Sequence, residues 1–161
     1  MTSRFVGRLN WAPQDLSDPK GWRLEEPFGF LRSDGILICC RVGPRVNGAS
    51  IPRFLWPIPW IGHPFEGGNK FWSVPHDYGY HGVAIVVARC AMEVMSAEQI
   101  CLSGGVLDLP SSMIIANRSI PRKWWDQTLV QAMVASGERM WKIRHVYPAV
   151  RLCGGRSYKP I

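Results

Sequence analysis

The sequence predicts an α+β fold in which an N-terminal β-hairpin region packs against two or three C-terminal helices. The first half contains short apolar runs separated by turn residues, a pattern typical of strands. The second half contains a segment, residues 120–136, whose apolar residues have helical spacing and which is followed by glycine. With 161 residues, 47% hydrophobic and 19% charged, the chain is predicted to form one globular domain, residues 1–161.

Three apolar runs in the first half are predicted to be strands: residues 22–24, 28–31 and 36–42. Ser33, Asp34 and Gly35 separate the last two runs, and this combination is a turn signal of β-hairpins. Prolines alternate with aromatic residues in the segment 52–64, which therefore cannot form a regular helix. We expect a packed, apolar loop there.

A first helix is predicted to begin after Ser73, whose side chain can cap a helix N-terminus. Pro75 would then lie in the first turn, where proline is tolerated. This helix carries the segment HDYGY, residues 76–80. The apolar pattern of residues 83–95 fits a strand as well as a helix, and both remain open.

Two further helices are predicted near the C-terminus. Ser119 is the expected cap of the helix at residues 120–136, and Gly137 is its expected end. One stripe of that helix carries Trp125, Leu129, Met133 and Ser136. The next helix is predicted at residues 138–152, with a kink at Pro148.

The charge balance is basic, with 19 Lys and Arg against 12 Asp and Glu and a net charge of +7. Such a surface attracts phosphate groups, including those of anionic lipids. No cluster of five basic residues occurs, so a nucleic-acid-binding tail is not indicated. Five cysteines without a C-x-x-C motif are typical of buried thiols. Without a charged-then-apolar leader, we expect synthesis in a cytoplasm and no signal peptide.

The segment HDYGY carries the most informative chemistry. In a helix, His76 and Tyr80 share one face, whereas Asp77 points about 100° away, so His76 and Asp77 are predicted to serve different sites. One arrangement uses this division: an imidazole acts as general base on water, and the neighbouring carboxylate holds a divalent cation. The imidazole needs a second carboxylate that orients it. Asp126 is the candidate, with Arg122 one turn earlier on the same helix.

These residues resemble the helix pair of secretory and bacterial calcium-dependent phospholipases A. In those enzymes an H-D-x-x-Y helix packs against an antiparallel helix that carries the partner Asp. The resemblance implies that His76 is the general base and that Asp126 orients its ring. It also implies that Tyr80 donates a hydrogen bond to Asp126.

The same resemblance implies calcium as the cofactor, with Asp77 as a ligand. Calcium also takes backbone carbonyls from a glycine-containing loop in these enzymes. Gly67 and Gly68 are the candidates for that loop, and Asn47 with Gly48 is the alternative. The calcium loop of the phospholipases, with its paired cysteines, is not recognisable in this chain.

A second resemblance covers about residues 22–152. The chain contains VGPRVNGASIPRFLW, then HDYGY, then the helix with Arg122 and Asp126, and finally MWKIRHVYPAVRLCGG. This order resembles the domain-of-unknown-function family 1353 of bacteriophages and prophages, whose members typically read T-D-G-A-S-x-P-R, H-D-Y-x-Y, R-x-x-A-D and M-Y-x-A-V-R.

The chain departs from that family at several positions. Asn47 replaces the usual Asp, Trp125 replaces a small residue, and Pro75 directly precedes His76. About 45 residues separate the HDYGY segment from Asp126, which predicts an insertion at about residues 83–117.

Two functions follow from these resemblances. The first is a phage-encoded, calcium-dependent phospholipid esterase that acts at the host envelope. The second is a non-catalytic virion component of the tail, baseplate or connector, in which the same helices are only a scaffold. The expected partners are other virion proteins or an anionic lipid surface, rather than nucleic acid.

Structural alternatives exist for each of these assignments. His76 and Asp126 can form a buried pair that only holds two helices together, because removing one partner strands the other. Asp77 can be an acidic residue favoured by the helix dipole. The aromatic segment 54–65 can be simple packing or a surface that docks on a membrane or a partner. The combination of His76, His81 and Cys90 has no recognised zinc spacing.

Overall fold

A computed structural model describes residues 1–15, 18–46, 69–153 and 158, and the predicted α+β class is confirmed. The strands are β1 (Arg4–Val6), β2 (Trp11–Asp15), β3 (Asp18–Leu24), β4 (Phe28–Leu31), β5 (Leu37–Cys40), β6 (Arg45–Val46), β7 (Ile85–Val87) and β8 (Ile114–Ile115). The α-helices are α1 (Asn69–Tyr80), α2 (Ala97–Leu102), α3 (Arg122–Ala135) and α4 (Met140–Cys153). The predicted loop at residues 52–64 lies outside the described residues.

The main sheet is antiparallel and has the strand order β1-β4-β5-β7-β8. The predicted hairpin is present as β4 and β5, with Phe30 opposite Ile38, and Gly35 in its turn has a φ of 83°. The sheet is not confined to the N-terminal half, because β7 and β8 follow α1 in the chain and extend it. A second sheet has the order β2-β3-β6, and the predicted strand at residues 22–24 is the end of β3.

Both faces of the main sheet are buried. Phe30 and Ile38 point into a core shared with α1, α3 and α4. Their neighbours Leu31 and Leu37 point into a second core, where they meet Ile100 of α2. Successive strand residues face opposite sides, so all four residues of β4 and of β5 are buried. The predicted insertion at residues 83–117 thus supplies two strands and the cover of the second face.

Helix α1 begins at Asn69, four residues earlier than Ser73, so the predicted cap is wrong. Ser73 and Pro75 both lie inside the helix. Proline at this position removes one backbone donor, a change that is costly in a helix interior. The flanking residues Trp72 and Val74 are fully buried, and this packing holds the segment helical against its local preference.

Helix α3 agrees closely with the predicted range, but its N-cap residue is Pro121 rather than Ser119. The hydroxyl of Ser119 instead donates to the carbonyl of Ala116 at 2.6 Å, within a 3-10 turn. Gly137 follows the helix with a φ of 76°, the left-handed conformation expected of a helix end.

Helix α4 contains Pro148, as predicted, and starts at Met140 rather than at residue 138. The undecided segment 83–95 forms β7 and then a 3-10 helix, Arg89–Glu93. Within the described part of the chain, no helix combines the length and apolar character that crossing a membrane requires.

Candidate active site

Helices α1 and α3 approach closely at a glycine. A Cβ atom on Gly79 would lie 2.1 Å from Cε3 of Trp125, so only glycine leaves room for the indole ring. The large side chain of Trp125 is accommodated in this way. The close approach places His76 and Tyr80 of α1 against Asp126 of α3.

The structure brings His76, Tyr80 and Asp126 into one cluster. Nε2 of His76 lies 3.5 Å from Oδ1 of Asp126, and both side chains have an exposed fraction of 0%. Tyr80 donates a short hydrogen bond from its hydroxyl to the same carboxylate oxygen. Its ring centroid lies 4.0 Å from that of His76, so the tyrosine also packs against the imidazole.

The other oxygen of Asp126 faces two arginines. Nη1 of Arg151, on α4, lies 2.7 Å from Oδ2 of Asp126. Nε of Arg122 lies 3.9 Å from the same oxygen and donates to the Tyr80 hydroxyl at 3.0 Å. The Nη2 group of Arg122 also donates to the backbone carbonyls of Val150 and Arg151, which ties α4 to the cluster.

Arg151 is a member of the site that the sequence analysis did not identify. It lies on a different helix from Asp126, so helical spacing gives no indication of the contact. The signal that could have found it is the resemblance of YPAVR, residues 147–151, to the motif M-Y-x-A-V-R, in which Arg151 takes the place of the arginine.

Asp77 is the second carboxylate beside the imidazole. Its Oδ1 lies 3.6 Å from Nδ1 of His76, and its exposed fraction is 1%. The prediction that His76 and Asp77 serve different sites is therefore wrong in this respect, because each ring nitrogen faces one carboxylate. Neighbouring helical side chains can turn toward each other through their χ1 rotations, although their Cβ atoms diverge.

A complete metal site is not present among the described residues. No group of three or more His, Cys, Asp or Glu side chains in that part of the chain is placed to hold a metal ion. Gly67 and Gly68, and the alternative pair Asn47 and Gly48, lie outside the described residues. Of the three residues predicted to bind calcium, Asp77, Gly67 and Gly68, the structure describes Asp77.

The electrostatics of the cluster are dominated by its burial and its opposite charges. Burial lowers the pKa of His76, but the hydrogen bond to Asp126 and the charge of Asp77 outweigh it, so the pKa is raised above its ordinary value. Burial raises the pKa of Asp126, but hydrogen bonds from His76, Arg151 and Tyr80 outweigh it and lower the pKa to about 2. Burial also raises the pKa of Tyr80. The ionised form of Asp126 is therefore stabilised in the cluster, and the protonated form of the His76 ring is stabilised relative to a free histidine.

The arginines form the outer side of the cluster. The side chain of Arg151 is 37% exposed and that of Arg122 is 24% exposed. The histidine and both aspartates, by contrast, lie below the surface.

Comparisons with known proteins give one relative and no function. An uncharacterized protein of Sinorhizobium fredii (strain NBRC 101917 / NGR234), named y4jT, is 43% identical to this chain over 80 residues. The match covers 47% of this chain and 23% of that protein, so the chain spans less than a quarter of its relative. No family model matches the chain, and no solved structure matches it.

Proposed function

We propose that this protein is an ester hydrolase in which His76 is the general base. The observation that supports the proposal is the placement of the imidazole, with Nε2 facing Asp126 at 3.5 Å and Tyr80 bonded to the same carboxylate. A carboxylate on one ring nitrogen fixes the tautomer and the orientation of the ring. The other nitrogen, Nδ1, would then take a proton from the attacking water.

The charge of Asp77 controls how readily His76 could act as a base. Both carboxylates raise the pKa of His76 and so favour the protonated ring, and this proton must leave before the ring can act as a base. Neutralising Asp77 would lower the pKa of His76 and increase the fraction of free base. The rate is therefore expected to rise with pH, or when the charge of Asp77 is compensated.

The proposal includes calcium as a cofactor, with Asp77 as one of its ligands. A bound cation would polarise the ester carbonyl, but calcium takes six to eight oxygen ligands, more than the described residues around Asp77 provide. No catalytic step above depends on it. Calorimetric titration with calcium tests this part, and binding that disappears in Asp77→Asn is the expected result.

The proposed substrate is a phospholipid of the host envelope, and the proposed setting is a phage-encoded protein that acts there or in the virion. The net charge of +7 favours an anionic lipid surface. The resemblance of the motifs to calcium-dependent phospholipases and to the phage family supports the same assignment.

The experiment is a fatty-acid release assay on phosphatidylglycerol vesicles, with and without calcium. We expect His76→Gln to lower the rate about 100-fold or more, the usual contribution of a general base. His145→Gln is the matched control, because His145 is exposed on α4 and hydrogen-bonds the carbonyl of Trp141. A His76→Gln protein that keeps the wild-type rate would contradict the proposal.

A non-catalytic virion component is the second candidate, and the burial of the cluster favours it. His76 and Asp126 have exposed fractions of 0%, and with Arg122 and Arg151 they connect α1, α3 and α4. If this function holds, a folded wild-type sample will release no fatty acid under any condition. His76→Gln will then change only the stability.

A further inference from the structure

Two neighbouring hollows lie beside helix α3, and neither His76 nor Asp126 lines them. The first hollow, of about 730 Å³, lies between α3 and α4 and has Val130, Ile143 and Pro148 among its lining residues. A second hollow, of about 480 Å³, has Val130 and Gln131 in common with the first. Its other lining residues are the apolar Val134 and Ala135 and the polar Thr2, Ser3 and Ser33. We call the two together the α3–α4 trough.

The lining of the trough combines an apolar floor with a cation. Arg144 lines the first hollow, and among the described residues it makes no hydrogen bond or ion pair. The hydroxyl of Tyr147, in the same hollow, makes no hydrogen bond within the described part of the chain either. An arginine that has no acidic partner among the described residues, next to an apolar hollow, favours an occupant with an anionic group.

The positive charge of α4 favours an anionic ligand over a second copy of the chain or a neutral ligand. Met140–Cys153 contains Lys142, Arg144 and Arg151 but no Asp or Glu. A second copy of this basic chain would bring more positive charge to the trough, so self-association is disfavoured. A neutral apolar ligand would leave Arg144 uncompensated. The volume of the first hollow is that of a small-molecule site.

From these observations we infer that the α3–α4 trough binds a fatty acid. The carboxylate would pair with Arg144 and accept a hydrogen bond from Tyr147, and the alkyl chain would lie along Val130 toward Val134. His76 does not line either hollow, so the inference goes beyond the proposed hydrolase and does not depend on it.

Binding of laurate to the full chain, measured by calorimetry below the concentration at which laurate forms micelles, tests this site. We expect one laurate per chain, and weaker binding of glycerol monolaurate, which has a similar chain and no charge. Arg144→Gln should weaken laurate binding about tenfold, as expected for the loss of a charge-assisted hydrogen bond. Arg139→Gln is the matched control, because Arg139 is exposed but does not line the trough.

A second pair of variants tests the alkyl path. Val134 is 54% exposed, so Val134→Glu is expected to fold and to place a carboxylate in the second hollow. It should weaken laurate binding, whereas Val94→Glu, at a valine elsewhere that is 67% exposed, should not. His76→Gln should bind laurate like the wild type, which separates this site from the proposed hydrolase.

Three results would overturn the inference. The first is that laurate does not bind to the folded protein. The second is that binding survives both Arg144→Gln and Val134→Glu unchanged. The third is that dodecyl phosphate binds more tightly than laurate, in which case the assignment of a carboxylate ligand is wrong.

Discussion

The substitution Asp126→Asn removes the charge at the centre of the cluster while keeping the size of the side chain. His76, Tyr80 and Arg151 all bond to this carboxylate, and it is completely buried. Removing one partner of a buried charged pair typically costs about 3–5 kcal/mol, because the other partner keeps its charge without compensation. A domain of ordinary stability has about 5–15 kcal/mol in total. We therefore expect a large fall in the free energy of unfolding, measured by urea titration at pH 7.

The acid limb of the stability curve should change as well. The pKa of Asp126 is lowered to about 2 in the folded protein, so its ionisation stabilises the fold above the unfolded-state pKa of about 3.9. This contribution, about 2 kcal/mol, is lost as the pH falls from about 5 toward 2. Asp126→Asn lacks the titrating group, so its stability should fall less steeply in this range.

The matched control is Asp108→Asn, at an exposed aspartate in a 3-10 turn. It should unfold within about 0.5 kcal/mol of the wild type, as surface substitutions usually do. If Asp126→Asn is as stable as Asp108→Asn and has the same acid limb as the wild type, the charges of the cluster do not stabilise the fold and the reasoning is refuted.

Three further outcomes are expected. Asp77→Asn removes a charge that raises the pKa of His76, so NMR titration of the ring should give a lower pKa than in the wild type; an unchanged value would show that Asp77 does not act on the ring. Gly79→Ala should lower the free energy of unfolding by about 2 kcal/mol, since the added methyl group overlaps Trp125 and overpacking costs about 1–3 kcal/mol; equal or greater stability in urea would contradict the close approach. Arg32→Lys should also lower the midpoint of thermal unfolding, because lysine cannot replace the planar guanidinium that lies 3.8 Å from the centroid of the Trp124 ring; an unchanged midpoint would contradict this.

The stability contributed by His76 has the opposite pH dependence to that of Asp126. A raised folded-state pKa means that the contribution is complete below the unfolded-state value of about 6.5 and is lost as the pH rises through the folded-state value. The wild type should therefore lose this contribution as the pH rises above about 6.5. Asp126→Asn should lose less there, because the hydrogen bond that raises the pKa of His76 is weakened.

Elements with a strong local signal were predicted well from the sequence. The hairpin of β4 and β5 has a turn sequence between two apolar runs, and α3 has a regular apolar stripe and a terminal glycine. The start of α1 was misplaced because the local signals of Ser73 and Pro75 conflict with the burial of Trp72 and Val74. Local chemistry predicts a helix start at Ser73, whereas tertiary packing continues the helix through it.

Short elements whose stability comes from their neighbours were not predicted. Strand β1 has three residues, β8 has two, and each is held by pairing with a strand distant in the chain. Strand β7 lies in the segment 83–95, whose apolar pattern fits a strand as well as a helix. Such strands form because they pair with the edge of a strand that is distant in the chain. A short window of sequence does not contain that partner, so it cannot predict the pairing.

The site was predictable where helical spacing determines it. His76 and Tyr80 lie one turn apart on α1, and a single carboxylate on α3 can meet both. The contact of Arg151 depends on how α4 is placed, which no spacing rule gives. The contact of Asp77 depends on side-chain rotation rather than on the helical angle.

The central claim is that His76 acts as a base whose pKa is set by its two carboxylates. The most direct test is the pH dependence of kcat/KM for phosphatidylglycerol hydrolysis, because its acid limb reports the pKa of the essential base in the free enzyme. We expect the rate to rise through a pKa above 6.5 that coincides with the pKa of His76 measured by NMR. No hydrolysis by the folded wild-type protein, or an acid limb that does not coincide with the titration of His76, would contradict the claim.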